Sequence, residues 1–275
     1  MLLSRPIRYG LYVSTVGTFA DPRVTVEVAR TAEAAGWEAL IVWDHLGFVW
    51  EQPAADPWTV LAAVAASTST IRIGTGVTPV PRRRPQTLAH QVATLDVLSG
   101  GRVIFGAAIG GVAREFSAFG EPDDPRLRAE KLDEGLDVLR RLWSGETVMH
   151  HGAHYTVDGI RLAPTPVRES VPIWIGGNSP PALRRAARFD GWFPDTADEH
   201  GMTFAPEELG AGIETIRAHR KKSAPFDVAV FGYSDPGETT LRAAYAEGGA
   251  TWWLEYLRDP RGTLDEMLAR VAAGP

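Results

Sequence analysis

Short apolar runs alternate with amphipathic helical stretches along almost the whole chain. Each apolar run is continuous, which is typical of parallel strands that are covered on both faces. The eight runs begin near Tyr9, Ala39, Ile71, Val103, Pro172, Gly191, Asp227 and Thr251. Apolar residues recur at helical spacing between them, as in the series Leu132, Leu136 and Leu139. The later helices are predicted over residues 180–188, 206–220, 236–247 and 264–272.

Eight strands that are each followed by a helix predict the α/β class and a single (β/α)8 TIM barrel over residues 1–275. The first four strands start about 30 residues apart, but the gap from the fourth to the fifth is about twice as long. We therefore expect an insertion after strand 4, at about 146–167, which forms a hairpin or lid beside the barrel mouth. The alternative, an open doubly wound sheet, favours a G-x-G-x-x-G motif after the first strand, and residues 9–17 lack one.

Composition excludes several classes of protein. The chain has no cysteine, which excludes disulfides, thiolate metal ligands and cysteine nucleophiles. Its net charge of -6 gives no electrostatic argument for binding nucleic acid or an anionic membrane. The chain has no long apolar run and no apolar core of a signal peptide near its start, so we expect a cytoplasmic protein.

The active site of such a barrel lies at the carboxyl ends of its strands, so the residues that close each strand are the candidates. His45 closes the second strand, where an imidazole can exchange a proton with a bound ring or, alternatively, bond to a loop carbonyl. Asp44 beside it is expected to support the loop. Trp43 and Trp50 are near enough to this predicted site to help form a wall against a flat ring.

Two glycine-containing segments are candidates for binding a cofactor. Gly74, Thr75, Gly76 and Val77 end the third strand, where glycines indicate either close approach of a flat ligand or a plain bend. Gly176, Gly177, Asn178 and Ser179 follow the fifth strand and open a helix, an arrangement that suits a phosphate. The run Arg82, Arg83 and Arg84 is interpreted as a solvated loop rather than as a site for an anionic tail.

Other catalytic patterns are weak. His150, His151 and His154 cluster in the insertion, but they match no H-E-x-x-H motif and have no carboxylate at ligand spacing, so no metal is expected. Glu255 closes the eighth strand without the second strand-end glutamate that a glycosidase needs.

Seven segments in fixed order resemble the luciferase-like monooxygenase family over roughly residues 9–196. The segments are Asp21 to Trp37, Trp43 to His45, Ile71 to Val77, Ala93 to Arg102, Glu115 to Gly120, Trp174 to Pro180 and Arg185 to Trp192. The resemblance implies a TIM barrel with an insertion after the fourth strand and a homodimer. It also implies that reduced FMN, or its deazaflavin relative coenzyme F420, lies across the barrel mouth.

The resemblance also assigns roles to residues. It implies a non-prolyl cis peptide at Gly76–Val77 under the central ring, and phosphate contacts at the turn formed by Gly176 and Gly177. It places His45 near the reactive ring and suggests that Glu115 assists catalysis, with a helix anchor as its alternative role. The residues after 196 match weakly, so no cofactor contacts are predicted there.

The leading hypothesis is a monooxygenase that uses reduced FMN and oxygen on a small organic substrate. The flavin would come from a separate reductase, because no NAD(P)H site is visible, and the protein would bind, orient and exclude water. The close alternative is a coenzyme F420-dependent oxidoreductase or dehydrogenase that transfers a hydride. A non-catalytic flavin-binding relative is the third hypothesis. We expect no nucleic-acid or membrane partner.

Overall fold

The computed structural model describes residues 6–275, with strands and helices in alternation. The strands are β1 (Arg8–Val13), β2 (Ala39–Val42), β3 (Arg72–Thr75), β4 (Thr78–Pro79), β5 (Val103–Ala108), β6 (Val148–His151), β7 (Thr156–Ile160), β8 (Ile173–Gly176), β9 (Gly191–Phe193), β10 (Ala197–Asp198), β11 (Gly201–Met202), β12 (Asp227–Gly232) and β13 (Trp252–Leu257). The α-helices are α1 (Pro22–Ala34), α2 (Pro57–Ser67), α3 (Pro85–Ser99), α4 (Arg114–Ser117), α5 (Pro125–Trp143), α6 (Pro180–Ala186), α7 (Pro206–His219), α8 (Thr240–Glu247) and α9 (Leu264–Ala272).

Eight parallel strands close into a barrel. In chain order they are β1, β2, β3, β5, β8, β9, β12 and β13, and β13 pairs with β1 to close the ring. The predicted (β/α)8 barrel is confirmed. All eight strands lie where the apolar runs predicted them, because each run is long enough for one strand that is buried on both faces.

Alternate strand residues point into two separate cores. Tyr12, Ile41 and Trp174 pack inside the barrel, whereas Leu11 and Leu40 pack between the barrel and its helices. This period of two decides which side chains can reach the barrel mouth, because only the inward series leads there.

Several helices begin with a capping side chain, and two helices differ from the prediction. The side chains of Asp21, Asp56 and Asp124 accept hydrogen bonds from first-turn N–H groups of α1, α2 and α5. The sequence reasoning missed α2 because this helix is apolar almost all round and shows no polar stripe. Helix α8 begins at Thr240 rather than near residue 236, because the Glu238 carboxylate accepts from the first N–H groups there.

The segment after α5 forms an antiparallel hairpin of β6 and β7. The hairpin lies along α5, where the Glu134 carboxylate contacts His150 Nε2 at 2.9 Å and accepts from the backbone N–H groups of His154 and Tyr155. A role for this hairpin as a lid stays a prediction. Within residues 6–275, the helices are all too short or too polar to cross a membrane.

Candidate active site

His45 and Glu115 meet at the carboxyl end of the barrel although they are 70 residues apart in the chain. His45 follows β2, and Glu115 lies in the short helix α4 after β5. Imidazole Nδ1 is 3.1 Å from Glu115 Oε1, and the same oxygen accepts from the backbone N–H of Leu46 at 2.7 Å. The carboxylate is buried, whereas the His45 side chain is 27% exposed. One carboxylate therefore fixes both the imidazole ring and the loop that carries it.

Two arginines with largely buried side chains complete this polar cluster. Arg82 contacts Glu115 Oε2 and donates to Asp44 Oδ1 at 2.6 Å and to the Asp44 carbonyl at 2.9 Å. Arg83 donates to both carboxylate oxygens of Asp44. The interpretation of this run as a solvated loop is wrong for Arg82 and Arg83, because two buried carboxylates compensate their charges. Only Arg84 is exposed.

The charge state of Glu115 follows from these contacts. Burial alone would raise the pKa of this carboxyl, but hydrogen bonds from His45 and Leu46 and the positive charge of Arg82 hold it below its ordinary value. An ionised carboxylate only accepts hydrogen bonds, so Nδ1 of His45 must carry the proton. In the neutral imidazole, Nε2 is then the nitrogen that can accept a proton.

Aromatic rings surround His45. Its ring packs edge-to-face against Trp43, at 5.2 Å between centroids, and against Trp50, at 5.0 Å. The two tryptophans also line a small cavity together with Ser14, Val16, Gln52, Arg258, Asp259 and Pro260. The indole N–H of Trp43 is buried and lacks a hydrogen-bond partner within residues 6–275. The faces of the two indole rings suit a flat ligand, whereas the Trp43 N–H is closed off from solvent.

The end of β3 comes close to the β8 turn. The Gly76–Val77 peptide bond is cis, as the family resemblance implies, and the Tyr12 hydroxyl donates to the Gly76 carbonyl. A Cβ on Gly76 would lie 2.7 Å from both Ile41 and Phe193, so only glycine fits there. A Cβ on Gly176 would lie 3.0 Å from the Val77 side chain. The fold thus brings the two predicted cofactor segments together.

Gly74 and Thr75 have packing roles within the sheet. A Cβ on Gly74 would overlap the carbonyl oxygen of Ile104 in the neighbouring strand. Thr75 is fully buried, and its hydroxyl donates to the Gly106 carbonyl at 3.1 Å. These contacts explain both residue types through strand packing, and their cofactor role stays a prediction.

The turn after β8 is fixed by its own hydrogen bonds. The Asn178 amide donates to the Asp195 carbonyl at 2.8 Å and accepts from the Asp195 N–H at 2.9 Å. Ser179 Oγ caps α6 through the N–H of Ala182. Gly177 has φ +104°, a conformation that favours glycine. Phosphate binding at residues 176–179 stays a prediction, with a turn that is already rigid.

Sequence reasoning missed the aromatic floor of the mouth. Tyr12 stacks on Tyr256 at 5.0 Å, and the Arg258 guanidinium lies 5.7 Å from the Trp43 ring and 5.6 Å from the Tyr256 ring. Burial raises the pKa of Tyr12 well above its ordinary value, so this phenol stays protonated. The signal that could have found Arg258 is the inward series of β13, because Tyr256 and Arg258 continue its period of two.

Glu255 is buried but belongs to a different cluster. Its carboxylate pairs with Arg261 at 2.6 Å and Arg270 at 3.4 Å, and it accepts from the Ser234 hydroxyl. Trp253, its neighbour on the outward face, packs in the core between barrel and helices. Glu255 therefore ties β13 to α9 and lies outside the His45 cluster.

Comparison with known proteins identifies a family. The model of the luciferase-like monooxygenase family matches residues 6–261. An F420-dependent hydroxymycolic acid dehydrogenase of Mycobacterium tuberculosis is 36% identical over 179 residues, covering 62% of this chain and 48% of that protein. An F420-dependent glucose-6-phosphate dehydrogenase of Microbacterium testaceum is 33% identical over 212 residues, covering 75% and 61%. The chain spans less than two thirds of either enzyme.

Solved structures share the fold at low sequence identity. An F420-dependent secondary alcohol dehydrogenase in complex with an F420–acetone adduct superposes with a TM-score of 0.79 at 20% identity, covering 98% of this chain and all of the other. The oxygenating constituent of 3,6-diketocamphane monooxygenase from Pseudomonas putida, in complex with FMN, has a TM-score of 0.76 at 16% identity, covering 97% and 96%. At these identities the likeness concerns the fold alone.

Proposed function

This chain belongs to the luciferase-like monooxygenase family of flavin- and F420-dependent oxidoreductases, and within that family we propose that it is an F420-dependent dehydrogenase of an alcohol. The observation that carries the proposal is the His45–Glu115 pair, because oxidation of an alcohol by hydride transfer needs a base at the hydroxyl. The two enzymes described above that are 36% and 33% identical to this chain are F420-dependent dehydrogenases. This is the reason to propose F420 rather than FMN as the cofactor.

The proposed roles of the residues follow from the contacts of the cluster. Nε2 of His45 accepts the hydroxyl proton of the alcohol as the carbinol carbon loses its hydride. Glu115 keeps the proton on Nδ1 and stabilises the imidazolium that forms. Coenzyme F420, when bound, supplies the deazaflavin ring that takes up the hydride. The alcohol becomes a carbonyl compound, so one proton and one hydride leave it.

The residues that would hold F420 lie on two sides of the mouth. Val77, Gly176 and Gly177 are half-buried and present backbone and one small side chain, which suits close approach of a flat ring, while Gly76 is buried beside Val77. On the other side, the rings of Trp43 and Trp50 line the cavity and offer flat apolar faces. The proposal thus assigns ring contacts to these residues and the phosphate to the turn at 176–179.

The rim of the site favours a substrate with an apolar carbon skeleton. Leu46, Trp50 and Phe119 are large apolar residues that are 41%, 40% and 65% exposed, and the Phe48 and Phe119 rings meet at 5.8 Å. Glu115 connects the two loops that carry them, through Leu46. Exposed apolar residues grouped beside a site indicate a binding surface for apolar groups.

The test of the function is an anaerobic assay of F420 reduction with a series of linear secondary alcohols. We expect loss of the oxidised deazaflavin absorbance, with kcat/KM rising about fourfold per added methylene until the rim is covered. Phe119→Ala should flatten this dependence, whereas Leu98→Ala, a matched change at an exposed apolar residue of α3, should not. Turnover that does not depend on chain length would contradict the apolar rim.

The second candidate is the FMN-dependent monooxygenase, because the same fold holds FMN in the diketocamphane enzyme. Its assay combines reduced FMN from a separate reductase with oxygen and an organic substrate. Turnover with these reagents and none with F420 would replace the proposal by this candidate. Binding of either cofactor without turnover across both panels would favour a non-catalytic flavin-binding protein.

A further inference from the structure

We propose that Arg82 is a positioning residue, which acts through Glu115 and Asp44 to hold His45 in the tautomer that keeps Nε2 free for a proton. The inference deepens the proposed function and rests on it for the role of His45. It concerns a residue of the loop after β4, outside the strand ends that the barrel fold singles out.

One guanidinium holds His45 from two directions. Arg82 contacts Glu115 Oε2, while Oε1 of the same carboxylate bonds to His45 Nδ1. The other terminal nitrogen of Arg82 donates to the carboxylate and to the carbonyl of Asp44, the residue directly before His45. The Arg82 side chain is only 8% exposed. Ring and backbone of His45 are therefore both held by the same buried cation.

Arg83 provides an internal comparison. It is the adjacent residue, it carries the same charge, and it bonds to the same carboxylate of Asp44. Its other acidic neighbour is Asp56, at 3.9 Å, and it makes no contact with Glu115 within the described residues. If only the positive charge or the hydrogen bond to Asp44 mattered, variants of Arg82 and Arg83 would behave alike. A role through Glu115 predicts that only the Arg82 variants change His45.

The physical consequence of losing Arg82 is a change in Glu115. Among the described residues, Asp44, Arg83 and Glu115 are the charged members of the cluster that remain, Arg258 lies over the Trp43 ring, and the rings of Trp43 and Trp50 pack on His45. A buried carboxylate without its cation favours the protonated form. A protonated Glu115 can donate to Nδ1, which places the imidazole proton on Nε2 and removes the base from the site.

The test compares Arg82→Gln, Arg82→Lys and Arg83→Gln in the full chain. The first readout is the tautomer of His45 by ¹⁵N NMR of the imidazole, with the signal identified by its loss in His45→Gln. We expect Nδ1–H in wild type and in Arg83→Gln, Nε2–H or a mixture in Arg82→Gln, and a largely restored Nδ1–H form in Arg82→Lys, because lysine keeps the charge.

The second readout is the pH dependence of kcat/KM for F420 reduction. We expect Arg82→Gln to lower kcat/KM about 100-fold at neutral pH and to move the acid limb to higher pH, whereas Arg83→Gln should leave the acid limb at its wild-type position. A wild-type tautomer and a wild-type pH profile in Arg82→Gln would overturn the inference, even if the variant unfolds at a lower temperature. If Arg82→Gln does not fold, a wild-type tautomer and pH profile in a folded Arg82→Met variant would overturn it.

The two readouts separate the inference from the proposed function. The NMR measurement uses the protein without cofactor or substrate, so it decides the positioning role even if F420 turnover is absent. Absence of F420 turnover in wild type together with the predicted tautomer change contradicts the proposed function and supports the positioning of His45 by Arg82.

Discussion

Replacing His45 by alanine should reduce turnover far more than stability. The change removes one hydrogen bond to a carboxylate and two edge-to-face contacts, with Trp43 and Trp50. It leaves no buried charge unpaired, because Glu115 keeps the Leu46 N–H and Arg82. The site therefore loses one hydrogen-bond partner of Glu115, while the ion pairs of Arg82 and Arg83 with Glu115 and Asp44 remain.

The expected magnitudes are well separated. A hydrogen bond to a charged group and two aromatic contacts in a partly exposed position amount to about 2 kcal/mol. For a chain of this size that corresponds to a fall in Tm of about 4–8 °C. Loss of a general base reduces kcat by about 10²–10⁴-fold, which is about 3–5 kcal/mol in the barrier.

The assay combines thermal unfolding with kcat per folded molecule in anaerobic F420 reduction. Exogenous imidazole should restore part of the activity of His45→Ala, because the mutation leaves a ring-sized space beside Trp43 and Trp50. A kcat per folded molecule within tenfold of wild type would refute the assignment of His45 as the base. A large fall in Tm that accounts for all of the lost activity would refute it as well.

Three further predictions concern stability. Glu33 accepts hydrogen bonds from backbone N–H groups that precede β3, and these bonds lower its pKa to about 2. Glu33→Gln should therefore be less stable than wild type at neutral pH. Urea unfolding should show the difference in unfolding free energy shrinking as the pH falls from about 4.5 toward 2. Gly74→Ala, which meets the Ile104 carbonyl, should cost about 3 kcal/mol by urea unfolding, whereas Gly111→Ala, with no atom near its Cβ, should stay within about 1 kcal/mol of wild type. Glu255→Gln should cost about 3–5 kcal/mol because it leaves two largely buried arginines unpaired, with kcat per folded molecule unchanged; a selective loss of kcat would contradict its structural role.

The barrel could be predicted because its signals are local. Each strand is a short apolar run, and most helices carry a polar stripe, so periodicity over a few residues is enough. The exception, α2, is apolar on nearly all faces and gave no stripe. Helix α8 was predicted too long because a proline at residue 236 was interpreted as its first turn, whereas Glu238 provides the cap.

The site was predicted in part. His45 and Glu115 were both named, the first from its strand-end position and the second from the family resemblance, but their contact spans 70 residues and no local pattern predicts it. Arg82 was misinterpreted for the same reason. Its partners lie 38 and 33 residues away, at Asp44 and Glu115, so the run of arginines resembles a solvated loop until the fold is known.

The most direct test of the proposed cofactor is equilibrium binding of F420 and of FMN to the cofactor-free protein, each followed by fluorescence quenching. We expect F420 to bind in the micromolar range and FMN to bind at least about tenfold more weakly. Micromolar binding of FMN with no binding of F420 would contradict the assignment of this chain as an F420-dependent enzyme.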